Sequence, residues 1–272
     1  MRKKLIAANW KMHKTPDEAG AFVREFTALI RGHECDEITL FPPFISLSAT
    51  LEAVRGTQVT VGAQNMYWQK EGAFTGEICA TMLVAIGSQQ VIIGHSERRQ
   101  YFGETDIDVN RKLRSALENK LKPIVCIGEL FEERQSGLTE RVLSRQISMA
   151  LRQISATEVD NFCFAYEPVW AIGTGKAATP EIAVETHAYI RNEAAKTLGS
   201  GAATRLRILY GGSVNPENAN ALMSREEIDG ALVGGASLDP HSFAQIVKWR
   251  TWSAGERAVQ ELISYGNKPG MV

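Results

Sequence analysis

FCFAYEPVWAIGTGKAATPEIAVETHAYIRNEAAKTLG, residues 162–199, is the stretch on which the fold turns. Residues 162–166 form an apolar run with little alternation, the pattern of a strand buried on both faces. Pro168 ends that strand, because proline fixes its own φ and has no N–H to give to a ladder. An apolar, glycine-containing loop follows. Thr179-Pro180 then opens a helix as an N-cap and first-turn pair. Gly199 closes it, as a residue just past a helix end does.

The same cycle repeats in both directions. Strand-like runs fall at 5–8, 38–41, 59–62, 91–94, 123–127, 162–166, 206–210 and 231–233, with helical patterns at 17–30, 106–119, 138–154 and 180–198. Eight strands, each followed by a helix or long loop, imply an all-parallel sheet, either closed or doubly wound. The chain has 272 residues and no linker that divides it. A closed (β/α)8 barrel in a single α/β domain is the favoured reading. The barrel is expected over residues 1–248, with a C-terminal extension over 249–272. In that extension the spacing of Val259, Leu262 and Ile263 predicts an amphipathic helix.

Composition excludes several classes of function. An apolar content of 44% supports a sizeable core, which rules out disorder. Thirty basic residues against 31 acidic ones leave a net charge of −1, so no clustered surface for nucleic acid is expected. Arg98-Arg99 is the nearest thing to a basic cluster, and Glu97 adjoins it. Cys35, Cys79, Cys126 and Cys163 show no CxxC spacing and no Cys/His pairing. Neither a zinc site nor a disulfide framework is expected, and a reducing compartment is the simpler reading. Arg2-Lys3-Lys4 precedes an apolar run too short for a signal peptide. No run approaches the ~20 apolar residues of a membrane span. The expectation is a cytoplasmic protein with no membrane partner.

In such barrels function gathers at the carboxyl ends of the strands. Read in order, those ends carry Asn9 and Lys11, then His95, Glu129, Glu167, Ser213 and Gly234-Gly235. Each alone has a plain structural explanation: a solvated lysine, a hydrogen-bonded histidine, a helix cap, a tight turn. Their shared placement shifts the balance. Glu167 is the most informative, because a carboxylate among apolar neighbours has its charged form disfavoured, which readies it as a base. The loop at 169–176 suits a lid that closes and excludes water. Gly175-Lys176 is not a P-loop, since Trp170 and Ala177 stand where that motif needs Gly and Ser or Thr. The loose dinucleotide fingerprint at 173–178 is parted from its strand by Pro168 and Trp170. Anion binding is better placed on the glycine turns at 210–216 and 232–237. There, backbone N–H groups can approach a phosphate, and a helix start after the turn adds its dipole.

Five motifs together resemble the triosephosphate isomerase family: Asn9-Trp10-Lys11, Gly94-His95-Ser96-Glu97-Arg98-Arg99, Tyr166-Glu167-Pro168 with the loop to Lys176, Tyr210-Gly211-Gly212-Ser213-Val214 and Leu232-Val233-Gly234-Gly235-Ala236-Ser237-Leu238. The resemblance runs from about Lys4 to Lys248. It implies a TIM barrel that moves a proton between two carbons of a small phosphorylated sugar, in glycolysis and gluconeogenesis. Glu167 would be the base, neutral His95 the electrophile and Lys11 the positive charge, roles the family illustrates in general accounts of catalysis. Asn9, Lys11, Gly173, Ser213, Gly234 and Gly235 would bind the substrate. Ser96, Glu97 and Cys126 would support them, with Glu97 as partner of Lys11. No metal or organic cofactor is implied. The loop at 64–77, with Thr75 near its tip, resembles an interdigitating dimer loop, and Met66, Tyr67, Trp68 and Phe74 are costly to leave exposed. A homodimer is expected.

Ala177 and Leu130 depart from the family's usual residues, and the chain runs past its usual end. A four-carbon ketose phosphate therefore stands as an alternative to the three-carbon pair of glyceraldehyde 3-phosphate and dihydroxyacetone phosphate. A non-catalytic barrel would be expected to have lost at least one of Lys11, His95 and Glu167.

Overall fold

Eight short strands follow one another around a closed barrel: β1 Leu5–Asn9, β2 Glu37–Phe41, β3 Val59–Ala63, β4 Gln90–Ile93, β5 Lys122–Ile127, β6 Cys163–Tyr166, β7 Arg207–Tyr210 and β8 Gly230–Val233. The computed structural model describes residues 2–171 and 178–251. Each strand pairs in parallel with the next, and β8 returns to β1 with Ile6 beside Ala231. All eight expected runs are strands, displaced by a residue at some ends. Gly94 lies outside β4 because its φ of 73° turns the chain out of the sheet.

Closure depends on Gly230. Its φ is 139°, and a Cβ added there would lie 1.9 Å from the Leu5 carbonyl oxygen, so only glycine seats β8 this close to β1. Arg2 adds to the seam through its Nε, 2.6 Å from Asp229 Oδ1.

Both faces of the strands are buried, which is why their sequences do not alternate. One apolar cluster fills the barrel interior, with Leu5, Ala7, Phe41, Ile92, Ile124, Cys126, Ala165, Leu209 and Leu232. A larger cluster lies between strands and helices, anchored by Trp10, Phe26, Phe164, Ile190 and Phe243.

Helix Pro180–Leu198 has the bounds that its caps predict: Thr179 Oγ1 accepts from the Ile182 N–H, and Gly199 follows with φ 80°. The pattern at 138–154 is over-extended. The helix covers only Thr139–Ala150, since Gln153 adopts φ 63° and Ser155 caps a separate 3-10 turn, Ala156–Asn161. Helices Phe44–Ala53 and Ala80–Ala85 were not read from the sequence.

Past residue 248 the chain is still packed: Trp249 is buried, and Arg250 Nη1 is 2.5 Å from Asp36 Oδ2. The helix expected around Val259, Leu262 and Ile263 lies outside the described residues. No described helix is long and apolar enough to cross a membrane. The four cysteines are all free thiols. One expectation is corrected. A Cys/His pairing does exist, because the turn before β2 folds Cys35 Sγ to 3.5 Å from His33 Nε2.

Candidate active site

The carboxyl ends of the strands surround a cavity of about 440 Å³ lined by Asn9, Lys11, His95, Glu167, Ser213, Gly234 and Gly235 among others. Every expected site residue within the described segments that was assigned to substrate reaches this one mouth. Gly173 lies outside the described residues.

Lys11 leaves β1 with φ 52°, a left-handed conformation that costs a non-glycine residue about 1–2 kcal/mol. Its N–H donates to Asn9 Oδ1 at 3.0 Å, and Gln64 Nε2 donates to its carbonyl at 2.8 Å. Gln64 also reaches the Phe41 carbonyl at 2.8 Å. The strained backbone thus aims the ammonium across the mouth, where Nζ lies 2.6 Å from Glu97 Oε1.

His95 caps helix Ser96–Phe102. Its Nδ1 accepts from the Glu97 N–H at 3.3 Å, which assigns the ring proton to Nε2. That nitrogen lies 3.0 Å from Glu167 Oε1. The tautomer follows from a backbone donor that cannot reverse its role.

Glu167 is 2% exposed, yet its surroundings are not purely apolar as the sequence implied. Oε2 accepts from the Ser96 N–H at 2.8 Å while Oε1 faces His95. Two glycines make room for it. A Cβ on Gly128 would lie 1.8 Å from the Glu167 carbonyl oxygen, and one on Gly211 would lie 2.9 Å from its Cγ. Gly212 likewise spares the Tyr210 phenol, 2.3 Å from where its Cβ would be. The sequence assigned the 211–212 turn to the anion alone. Its tightest contacts are instead with the carboxylate and the phenol. Gly235 has nothing within 4 Å of an added Cβ, and Gly234 only the end of Lys11. That pair faces open cavity.

Cys126 lies on β5 beneath the carboxylate. Burial, and after it the nearby Glu167 charge, push its thiol well above the usual range, so it serves as packing and not as a nucleophile. Arg99 spans the floor, donating to the Gly94 and Cys126 carbonyls at 2.8 and 3.2 Å and to Asp106 at 2.6 Å.

Glu129, offered by the sequence as a strand-end polar residue or helix cap, is neither exposed nor a cap. Its Oε1 accepts from Tyr166 Oη, Trp170 Nε1 and Arg134 Nη1 at 3.0–3.1 Å. Trp170 belongs to the short 3-10 turn Val169–Ala171 at one stem of the 172–177 segment. At the other stem the Ala178 N–H donates to Tyr210 Oη at 3.2 Å. Both stems are tied to the barrel.

The described residues therefore form a (β/α)8 barrel whose mouth joins a buried carboxylate, an imidazole and an ammonium group beside a glycine-lined wall. That is the equipment of an acid–base enzyme for a small anionic ligand. The family model for triosephosphate isomerase matches residues 4–250. Curated relatives named triosephosphate isomerase include one from Solibacter usitatus, 54% identical over 92% of this chain and 100% of its own. Others come from Citrifermentans bemidjiense, 51% identical over 92% and 99%, and Dictyoglomus turgidum, 50% identical over 91% and 100%. The chain belongs to the triosephosphate isomerase family.

Proposed function

We propose that the chain interconverts D-glyceraldehyde 3-phosphate and dihydroxyacetone phosphate by proton transfer through an enediolate. The observation that carries this reading is the 3.0 Å approach of His95 Nε2 to Glu167 in the same mouth that Lys11 enters. Glu167 removes a proton from the carbon beside the carbonyl and returns it to the neighbouring carbon. To do so it gives up the Ser96 N–H and turns toward the ligand. His95 donates from Nε2 to the oxygen where charge develops, and Lys11 adds positive charge near it. Asn9 fixes Lys11. Gly173, Ser213, Gly234 and Gly235 hold the phosphate, and closure of the lid at 169–176 keeps water from the enediolate. The printed name shared by the relatives favours the three-carbon substrate over a four-carbon one.

The test is kcat/KM of the purified protein on three- and four-carbon aldose and ketose phosphates, with Glu167→Gln beside it. The variant is expected to lose roughly 10²–10⁴-fold in kcat while still binding an unreactive phosphate ligand. Parental turnover in Glu167→Gln removes the base assignment. A preference for the four-carbon substrates removes the substrate assignment.

The working unit is a homodimer. Met12, then Phe44 and Ile45, then Phe74, then Tyr101 and Phe102 follow β1 to β4 in turn and are exposed, large apolar side chains of the kind that an interface covers. Thr75, exposed beside Phe74 in the chain, is where a partner subunit would receive the loop. Four unpaired thiols support a cytoplasmic site of action.

A further inference from the structure

At the opposite end of the barrel from the mouth, the turn 33–36 leads into the amino end of β2 and brings three donors of different chemistry together. His33 Nε2 lies 3.1 Å from Asp36 Oδ2, Cys35 Sγ lies 3.5 Å from His33 Nε2, and Cys35 Sγ lies 3.7 Å from Asp36 Oδ2. A tetrahedral zinc ion with sulfur at about 2.3 Å and nitrogen and oxygen at about 2.0–2.1 Å sets those three edges at about 3.3, 3.6 and 3.5 Å. Each observed edge falls within about 0.2 Å of its tetrahedral value.

Three further observations point the same way. Asp36 is 4% exposed, and a single oxygen, Oδ2, faces both His33 and Cys35. The turn is held from outside the donor set, since Gln58 Nε2 donates to the His33 carbonyl. Cys35 is exposed, so an ion can reach the donor set from solvent. A cation already sits at this edge: Arg250 Nη1 is 2.5 Å from Asp36 Oδ2 and 3.3 Å from Cys35 Sγ. Its guanidinium also stacks on Trp249 at 4.1 Å, and its side chain is 39% exposed. Being partly exposed, the guanidinium can swing from Asp36 and Cys35 toward solvent.

We propose that His33, Cys35 and Asp36 form a binding site for zinc or another borderline divalent cation at the amino-terminal face of the barrel. The mixed sulfur, nitrogen and carboxylate set excludes calcium and magnesium, which take oxygen ligands, and favours zinc. Arg250 acts as a built-in competitor, stabilising the empty donor set and yielding to a doubly charged ion. The sequence hid this site because the spacing H-x-C-D matches no zinc signature. Only the turn before β2 makes adjacent residues point at one centre.

The test titrates the full-length protein with cobalt(II), whose bond to a thiolate gives a strong near-ultraviolet charge-transfer absorption, and then displaces it with zinc. One cobalt per chain is expected, displaced by zinc with an affinity in the micromolar range or tighter. Cys35→Ser should abolish the absorption and leave kcat/KM and Tm at parental values. His33→Ala should weaken zinc binding roughly tenfold or more. Arg250→Ala, which removes the competing charge, should tighten it several-fold. The site is overturned by absence of the absorption in the parent, by its persistence in Cys35→Ser, by saturation only at millimolar metal, or by parental affinity in His33→Ala.

Discussion

The placement of Glu167 comes from what its neighbours lack. Gly128 and Gly211 press backbone against the strand end that carries it, and no side chain could share that space. Gly211→Ala puts a methyl group 2.9 Å from Glu167 Cγ and 3.1 Å from the Tyr166 carbonyl. Either the carboxylate or the β7 turn must shift. Displacement of a base by a fraction of an ångström to an ångström costs on the order of 10²-fold in rate. Gly211→Ala is therefore expected to lower kcat by about that factor while leaving KM for the phosphate ligand nearly unchanged. Steady-state kinetics with parental kcat would show that the clash is absorbed elsewhere. His95 illustrates the complementary case. Its tautomer is set by a single backbone donor, the Glu97 N–H at 3.3 Å, a group no mutation can delete except proline. Residue identity at the strand ends was legible because chemistry-bearing side chains stood out against apolar runs. The glycine contacts and the grip of Gln64 on Lys11 were not. They arise between loops far apart in the chain, and a glycine in sequence does not announce which neighbour needs its space.

Local signals were read well wherever the controlling physics is local. Thr179, Pro180 and Gly199 fixed helix Pro180–Leu198 at both ends, because capping acts within four residues. Thr179→Ala removes the acceptor for the Ile182 N–H and is expected to cost about 1 kcal/mol, measured by denaturant unfolding. A change below the error of that measurement would mean water replaces the hydroxyl without loss. The pattern at 138–154 failed for an equally physical reason. Apolar spacing continues through Leu151 and Ile154, but the backbone turns at Gln153, and periodicity is blind to φ. Helix Phe44–Ala53 and helix Ala80–Ala85 escaped notice because their short, mostly apolar sequences lack the polar stripe that marks a surface helix. The zinc-type donor cluster before β2 escaped for the same class of reason, since turn geometry and not spacing assembles it.

On the scale of the whole molecule, burial makes one titrating group matter to stability. His187 on helix Pro180–Leu198 packs edge-on to Tyr166 at 6.0 Å, and its Nδ1 meets the Glu227 carbonyl at 3.1 Å. Desolvation lowers its pKa from 6.5 to about 4, outweighing the Glu227 carbonyl and Asp229, while Arg191 and Lys4 act in the same direction as burial. The folded state holds the ring neutral where the unfolded chain would protonate it. Its contribution is complete above about pH 6.5 and is lost as pH falls toward 4. The amount is on the order of 3 kcal/mol. Tm is expected to fall across that window, and to fall less steeply in His187→Asn; equal slopes would assign the acid sensitivity elsewhere. A dimer, read by sedimentation, should dissociate when one of the exposed apolar side chains after β1 to β4 is replaced by a charge, as in Ile45→Glu. An unchanged sedimentation coefficient would argue that these side chains are not the interface. The seam at Gly230 has a last implication, for synthesis on the ribosome. β1 is made first and its outer partner last, so the ladder stays unsealed until residues 230–233 have left the exit tunnel. Every earlier nascent chain carries an exposed strand edge that the finished ring does not have, and a variant that slows docking at Gly230 should reveal itself first as lower soluble yield, before any loss of activity per folded molecule.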